Sequence, residues 1–150
     1  MKKLFLSFIV ITLLAGCGSS AEEVRETKVL AICGEANSVM KTLTLDEIVP
    51  GDSADWSQIQ ITYSGIKSKL QTLNSQLTEL DESQLARDFS SVSKAAGEIE
   101  ATASFIGLVG GSFAYARDNV LRSEWLSAVN KLTDDAALRG DRTFIGCKLN

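Results

Sequence analysis

Three serine–lysine pairs are the residues of this chain whose spacing best suits covalent catalysis. The pattern Ser-x-x-Lys occurs at positions 38–41, 64–67 and 91–94. On a helix this spacing places the hydroxyl and the amine on one face, where the lysine can activate a serine nucleophile. None of the three is joined by Ser-Asp-Asn or Lys-Thr-Gly elsewhere in the chain, and three occurrences in a serine-rich sequence indicate coincidence. We therefore predict no catalytic residue.

Other reactive groups are equally sparse. The chain has no histidine, which excludes Ser-His-Asp and Cys-His nucleophile systems and every histidine-ligated metal site. The acidic pairs Asp81-Glu82 and Asp134-Asp135 are not set in the spacing of an EF-hand loop. We expect no metal site, no cofactor and no enzymatic activity.

The thiol with the most informative surroundings is that of Cys17. It ends the tetrapeptide Leu14-Ala15-Gly16-Cys17, which closes an uncharged run over residues 4–16 that follows Lys2 and Lys3. This arrangement resembles the signal peptide of a bacterial lipoprotein precursor. The resemblance implies that Cys17 receives a diacylglyceryl group, that the chain is cleaved after residue 16, and that acyl chains such as palmitate hold it on a lipid bilayer.

That resemblance sets the expected organisation and location. Residues 1–16 are the expected signal peptide, 17–22 the lipidated amino terminus and tether, and 23–150 one folded domain. Two alternatives stay open: an uncleaved membrane anchor, for which the run is short of the roughly 20 residues needed, and a secretory signal whose cysteine is not acylated. The resemblance implies an extracytoplasmic protein, in the outer membrane if the cell is Gram-negative, because Gly18 and not aspartate follows the cysteine.

The charge of the chain argues against nucleic acid as a partner. The net charge is −4, and loss of Lys2 and Lys3 with the signal peptide would make it −6. Nucleic acids require clustered Lys and Arg.

The remaining cysteines, Cys33 and Cys147, form an even pair in an extracytoplasmic setting, which favours a disulfide. Two free thiols or a redox or metal pair are the alternatives.

The spacing of apolar residues predicts four amphipathic helices. The clearest runs over about residues 53–80, with Asp52 or Ser53 as its N-cap. Its apolar residues follow at steps of three and four: Trp56, Ile59, Tyr63, Ile66, Leu70, Leu73, Leu77 and Leu80. An earlier helix has Val29, Ile32, Ala36, Val39 or Met40, and Leu43. A later one has Leu85, Phe89, Val92, Ala96, Ile99, Ala103 and Ile106.

The fourth predicted helix begins near Ser112 or Phe113 and ends before Gly140, a plausible C-cap. Its apolar residues are Ala116, Val120, Leu121, Trp125, Ala128, Val129, Leu132 and Ala136. Short connections between long helices favour antiparallel neighbours. The prediction is an all-α, antiparallel up-down four-helix bundle closed by one disulfide, in which the segment 142–145 turns back along the first helix to bring Cys147 to Cys33.

The segment Ala101–Tyr115 contains no charge and contains three glycines. One interpretation is a partner-binding tip at the pole far from Cys17, formed by Gly107, Leu108, Gly110, Gly111 and Phe113. The other is a buried helix end followed by a Gly-Gly turn.

These observations favour a non-enzymatic binding or scaffolding module of the cell envelope, with an envelope protein of unknown identity as its partner. Two alternatives remain. One is an immunity or exclusion lipoprotein that blocks a toxin or a phage receptor, and the other is a binder of a small apolar ligand between the helices.

Overall fold

The computed structural model describes residues 20–43 and 50–147, and these residues form five helices and no strand. The predicted signal peptide, Cys17 and most of the predicted tether lie outside the described residues. The helices are α1 (Ala21–Lys41), α2 (Trp56–Glu79), α3 (Ser83–Leu108), α4 (Gly111–Arg117) and α5 (Asn119–Thr133). The all-helical prediction is confirmed, and a Cys33–Cys147 disulfide closes the bundle.

A capping box starts α1. The Ser20 hydroxyl oxygen accepts a hydrogen bond from the Glu23 backbone N–H, and the Glu23 carboxylate accepts one from the Ser20 backbone N–H at 2.7 Å. These bonds satisfy two backbone donors that the first turn of a helix leaves without partners. The helix therefore begins at Ala21, within the residues expected to form the tether.

Helices α2 and α3 make the most extensive helix–helix contact of the fold. Every apolar residue predicted to face inward on these two helices is buried except Leu80, which is half-buried. The small side chains of Ala86, Ser93 and Ala96 in the α3 interface are buried as well, which allows the helices to approach closely. The predicted N-cap of α2 was wrong: Asp55, not Asp52 or Ser53, accepts a hydrogen bond from the Gln58 N–H at 3.0 Å.

The fourth predicted helix is two helices. The chain is extended at Asp118, with φ −101° and ψ 104°, and the Asp118 carboxylate accepts hydrogen bonds from the N–H groups of Val120 and Leu121. An aspartate that caps a new helix ends the preceding one, because its own backbone is then not helical. The break turns Val120, predicted to be buried, into solvent at 64% exposure.

The last helix also ends earlier than predicted. It stops at Thr133 and not before Gly140, and Ala136, predicted to lie inward, is exposed while Ala137 and Leu138 are buried. Asp135 ends the helical run by accepting a hydrogen bond from the Ala137 N–H at 2.8 Å. The local hydrogen bond of an aspartate favours a turn over a further helical turn.

Residues 134–147 fold back over the bundle as a short loop. A single bridge pairs Leu138 with Phe144, and the Phe144 ring is fully buried with its centroid 4.2 Å from that of Phe89. The Asp141 carboxylate accepts hydrogen bonds from the Thr143 hydroxyl and N–H, which lower the pKa of Asp141. This loop places Cys147 against Cys33, with their Cα atoms 5.5 Å apart.

Ion pairs between the helices indicate which ends lie together. Arg25, in the second turn of α1, pairs with Glu82 at the start of α3 at 2.6 Å, and Glu35 pairs with Lys69 of α2. The amino-terminal ends of α1 and α3 therefore lie side by side. Among the described helices, none has the length and apolar character that crossing a bilayer requires.

Candidate functional site

Two glycines turn the chain between α3 and α4. Gly110 has φ +117° and Gly111 has φ +62°, values that side chains with a Cβ rarely adopt. The turn packs on Trp56, because a Cβ added to Gly107 or to Gly111 would lie 3.6 Å from an atom of the Trp56 side chain. The close contact fixes the end of α3 against the first residue of α2.

Behind this turn lies a cluster of aromatic rings. The Trp56 ring centroid is 5.0 Å from that of Tyr115 and 5.1 Å from that of Trp125, in tilted and edge-to-face arrangements. All three residues are buried. Burial raises the pKa of the Tyr115 hydroxyl, and the nearby Arg122 guanidinium, 5.3 Å from the ring centroid, opposes that rise. The cluster is a buried, packed base for the surface above it.

The predicted tip residues line two separate hollows at this end of the fold. Gly107, Leu108, Gly110 and Gly111 line a shallow hollow of about 440 Å³ beside the start of α2. Phe113 lines the other hollow, of about 790 Å³, between the end of α3 and the α4–α5 break. Leu108 and Phe113 are 84% and 66% exposed, so these two side chains are not the buried helix end of the alternative interpretation. The Gly-Gly turn of that interpretation is present.

Sequence reasoning missed three further apolar side chains beside them. Phe105, Val109 and Val120 are 51%, 45% and 64% exposed and line the larger hollow with Phe113. Phe105 and Leu108, in the last turn of α3, are neighbours of Val109, which caps that helix, because residues three and four apart on a helix lie on one face. We call the five residues Phe105, Leu108, Val109, Phe113 and Val120 the distal patch. Phe105 and Val109 lie within the charge-free segment, so the sequence contained a signal for them. It contained none for Val120, because only the helix break exposes that residue.

The distal patch is flanked by one cation and one anion. The Arg117 guanidinium lies 4.6 Å from the centroid of the Phe113 ring, and Glu124 lies on the other side of the same hollow. Neither charge has an ion-pair partner among residues 20–43 and 50–147. Asp118 also lines the hollow, but its carboxylate is engaged as the cap of α5. The site therefore combines exposed apolar area with two opposite charges that have no ion-pair partner among the described residues.

Two of the serine–lysine pairs are engaged in other contacts. Lys67 donates to the Glu100 carboxylate at 3.0 Å, a bond that, together with one from Ser64, lowers the pKa of Glu100. The Ser91 hydroxyl donates to Asp135 at 2.7 Å. The ammonium group of Lys67 is thus held in an ion pair with Glu100. Within the described ranges, no cluster of three or more Cys, Asp or Glu has the arrangement of a metal site.

The distal patch thus presents exposed apolar surface that is suited to association with a partner. Exposed aromatic and aliphatic side chains on a packed base bury apolar area when a partner covers them. Comparison with known protein families, with curated protein sequences and with solved structures found no match to this chain.

Proposed function

We propose that this chain is a membrane-anchored, extracytoplasmic lipoprotein whose helical bundle acts as a non-enzymatic binding or scaffolding module in the cell envelope. The observation that supports binding is the distal patch. Four large apolar side chains, each at least 45% exposed, line one hollow, and the 84% exposed Leu108 lies at the same end of α3. Contiguous exposed apolar surface of this kind is typical of interaction sites, whereas single exposed apolar residues are not.

The arrangement of the helices supports a role at a membrane surface. Ser20, three residues after Cys17, caps the amino-terminal end of α1. That end lies beside the start of α3, and the distal patch lies at the other end of α3. A helix of 26 residues is about 39 Å long at about 1.5 Å per residue. Acylation of Cys17 would therefore hold the patch tens of ångströms from the anchor, toward a partner.

The same contacts favour the up-down bundle. We propose that α1, α2 and α3 alternate in direction and that α4 and α5 together take the place of a single fourth helix. The ion pairs of Glu35 with Lys69 and of Glu98 with Lys131 join helices in the positions that this arrangement requires.

The binding proposal is tested with one exposed residue of the distal patch. Phe113→Asp places a charge where a partner would bury a ring, so we expect it to reduce the recovery of crosslinked partners from cells about tenfold or more, typical of a central interface residue. Ile145→Asp is the matched control, because Ile145 is 50% exposed and lies in the carboxy-terminal loop. Equal recovery with both variants, at unchanged thermal stability, would contradict a binding role for the patch.

The anchoring proposal is tested at Cys17. Cys17→Ser removes the thiol that would be acylated, so the full chain should lose incorporation of a labelled palmitate analogue and leave the membrane fraction. Two or three acyl chains anchor a protein stably, because each buried methylene contributes about 0.8 kcal/mol. A Cys17→Ser chain that still carries the label would show that Cys17 is not the lipidated residue.

A further inference from the structure

The charge pattern of the distal patch indicates what covers it: we propose that a second copy of this chain binds there, related to the first by a two-fold axis. This inference rests on the proposed binding role and names the partner. In a two-fold dimer each copy contributes the same surface, so the surface must be complementary to itself. The patch meets that requirement in its apolar residues and in its charges.

The apolar part is self-complementary in shape. Phe113 and Leu108 project into solvent at 66% and 84% exposure, and Phe113 borders a hollow of about 790 Å³ whose lining includes the apolar side chains of Phe105, Val109 and Val120. A projecting ring and an open apolar hollow on one surface allow each copy to insert its ring into the hollow of the other. Buried aromatic side chains that fill pockets contribute most of the affinity at protein interfaces.

The order of the charged residues Arg117 and Glu124 along the surface also allows two copies to pair. Val120 and Glu124 are four residues apart on α5 and therefore share a face, and Arg117 lies just before the break that starts α5. Along the chain the cation therefore comes before Val120 and the anion after it, and the carboxylate of Asp118, beside Arg117, is occupied as the cap of α5. Rotation by 180° about an axis that lies in the interface and passes by Val120 brings Arg117 of each copy to Glu124 of the other, which gives both charges the ion-pair partner that they lack among the described residues.

The same charges argue against two other occupants. An anionic bilayer surface attracts clusters of Lys and Arg, but the larger hollow is lined by one arginine and two carboxylates, Asp118 and Glu124. A strongly charged protein partner would likewise select a patch of one sign. Copies confined to one membrane also meet at high effective concentration, so a modest surface suffices for their association.

The test measures contact between copies of the full chain in cells. Two copies with different tags are co-produced, and p-benzoylphenylalanine replaces Phe113 in one of them as a photocrosslinker. The same probe in place of Gln76, an exposed residue on α2, is the control. We expect a crosslinked product containing both tags from position 113, joined to residues 105–124 of the second copy, and background levels from position 76.

Charge reversals then test the two-fold arrangement. Arg117→Glu in both copies, or Glu124→Arg in both copies, places like charges together and should reduce the copy-to-copy product about tenfold. Arg117→Glu in one copy with Glu124→Arg in the other restores opposite charges at both contacts, so the product should return. Both residues lie at the surface, and unchanged thermal unfolding of each variant confirms that it folds.

Each other outcome overturns a defined claim. Copy-to-copy crosslinks that neither reversal weakens would overturn the Arg117–Glu124 pairing and the two-fold arrangement. Crosslinks from position 113 solely to lipid or to a different protein would overturn the second copy as partner while leaving the proposed binding function intact. Crosslinks at position 113 no stronger than at position 76 would overturn both.

Discussion

At the scale of single residues, Asn37 joins the two ends of the folded domain. It lies on the buried face of α1, and its side-chain oxygen accepts a hydrogen bond from the Phe144 backbone N–H at 2.9 Å, in the interior. The bond spans 107 residues of sequence. Without it, a backbone donor in the carboxy-terminal loop would be buried with no acceptor, a costly arrangement. Asn37 therefore positions the loop that carries Cys147.

Replacing Asn37 tests this role. Asn37→Ala removes the acceptor and leaves the buried Phe144 N–H unsatisfied, so we expect the free energy of unfolding to fall by about 1–3 kcal/mol. Asn130→Ala is the matched control, because Asn130 is exposed on α5, and surface substitutions usually change stability by at most about 0.5 kcal/mol. Denaturant unfolding measures both. Equal stability of the two variants would show that the buried bond contributes nothing.

At the scale of elements, the geometry of the distal patch depends on two interruptions of helix. The turn at Gly110 and Gly111 ends the charge-free run of α3, and the extended backbone of Asp118 separates α4 from α5. Each interruption rotates the following helix relative to a continuous one. Together they bring Phe113 and Val120 beside Phe105, which a single uninterrupted fourth helix would not do.

The glycine turn makes an opposing pair of predictions. Gly110 has φ +117°, a conformation strained for any residue with a Cβ, so Gly110→Ala should lower stability by about 1–2 kcal/mol. Gly65 is exposed within α2 with open space around it, so Gly65→Ala should raise stability by about 0.5–1 kcal/mol through helix propensity. Thermal unfolding of both variants checks the signs. A neutral or stabilising Gly110→Ala would contradict the turn.

At the scale of the whole molecule, one covalent link ties the first helix to the last loop. The disulfide joins residues 114 apart in sequence and lies in the core, where both cysteines are buried. In the chain-entropy account, closing a loop of this length lowers the conformational entropy of the unfolded chain, which raises the free energy of unfolding by about 4–5 kcal/mol. The carboxy-terminal loop has no helix of its own over residues 134–147 and buries Ala137, Leu138 and Phe144, so the link is an important constraint on its position.

Removal of either sulfur should have the same effect. Cys33→Ser and Cys147→Ser each open the same loop, so both should lower the free energy of unfolding by similar amounts, up to about 4–5 kcal/mol. Wild-type protein treated with dithiothreitol serves as the reference for loss of the link alone. Denaturant unfolding with and without the reductant measures all three. A serine variant as stable as the oxidised wild type would contradict a structural role.

The sequence alone determined which residues of α2 and α3 face the core, because apolar side chains at steps of three and four leave water only when a helix turns them to one side. A Cys33–Cys147 disulfide was favoured by the cysteine count in the expected extracytoplasmic setting and is present, and the apolar stripes of α2 and α3 followed from the spacing. Three features did not follow from the sequence: the exposure of Val120, the early end of α5 and the fold of residues 134–147. At each of these points a local aspartate hydrogen bond or a buried ring such as Phe144 competes with the next helical turn, and only contacts between distant residues decide which arrangement is lower in free energy. The distal patch depends on the same contacts, since its five residues come together only because the helix is interrupted.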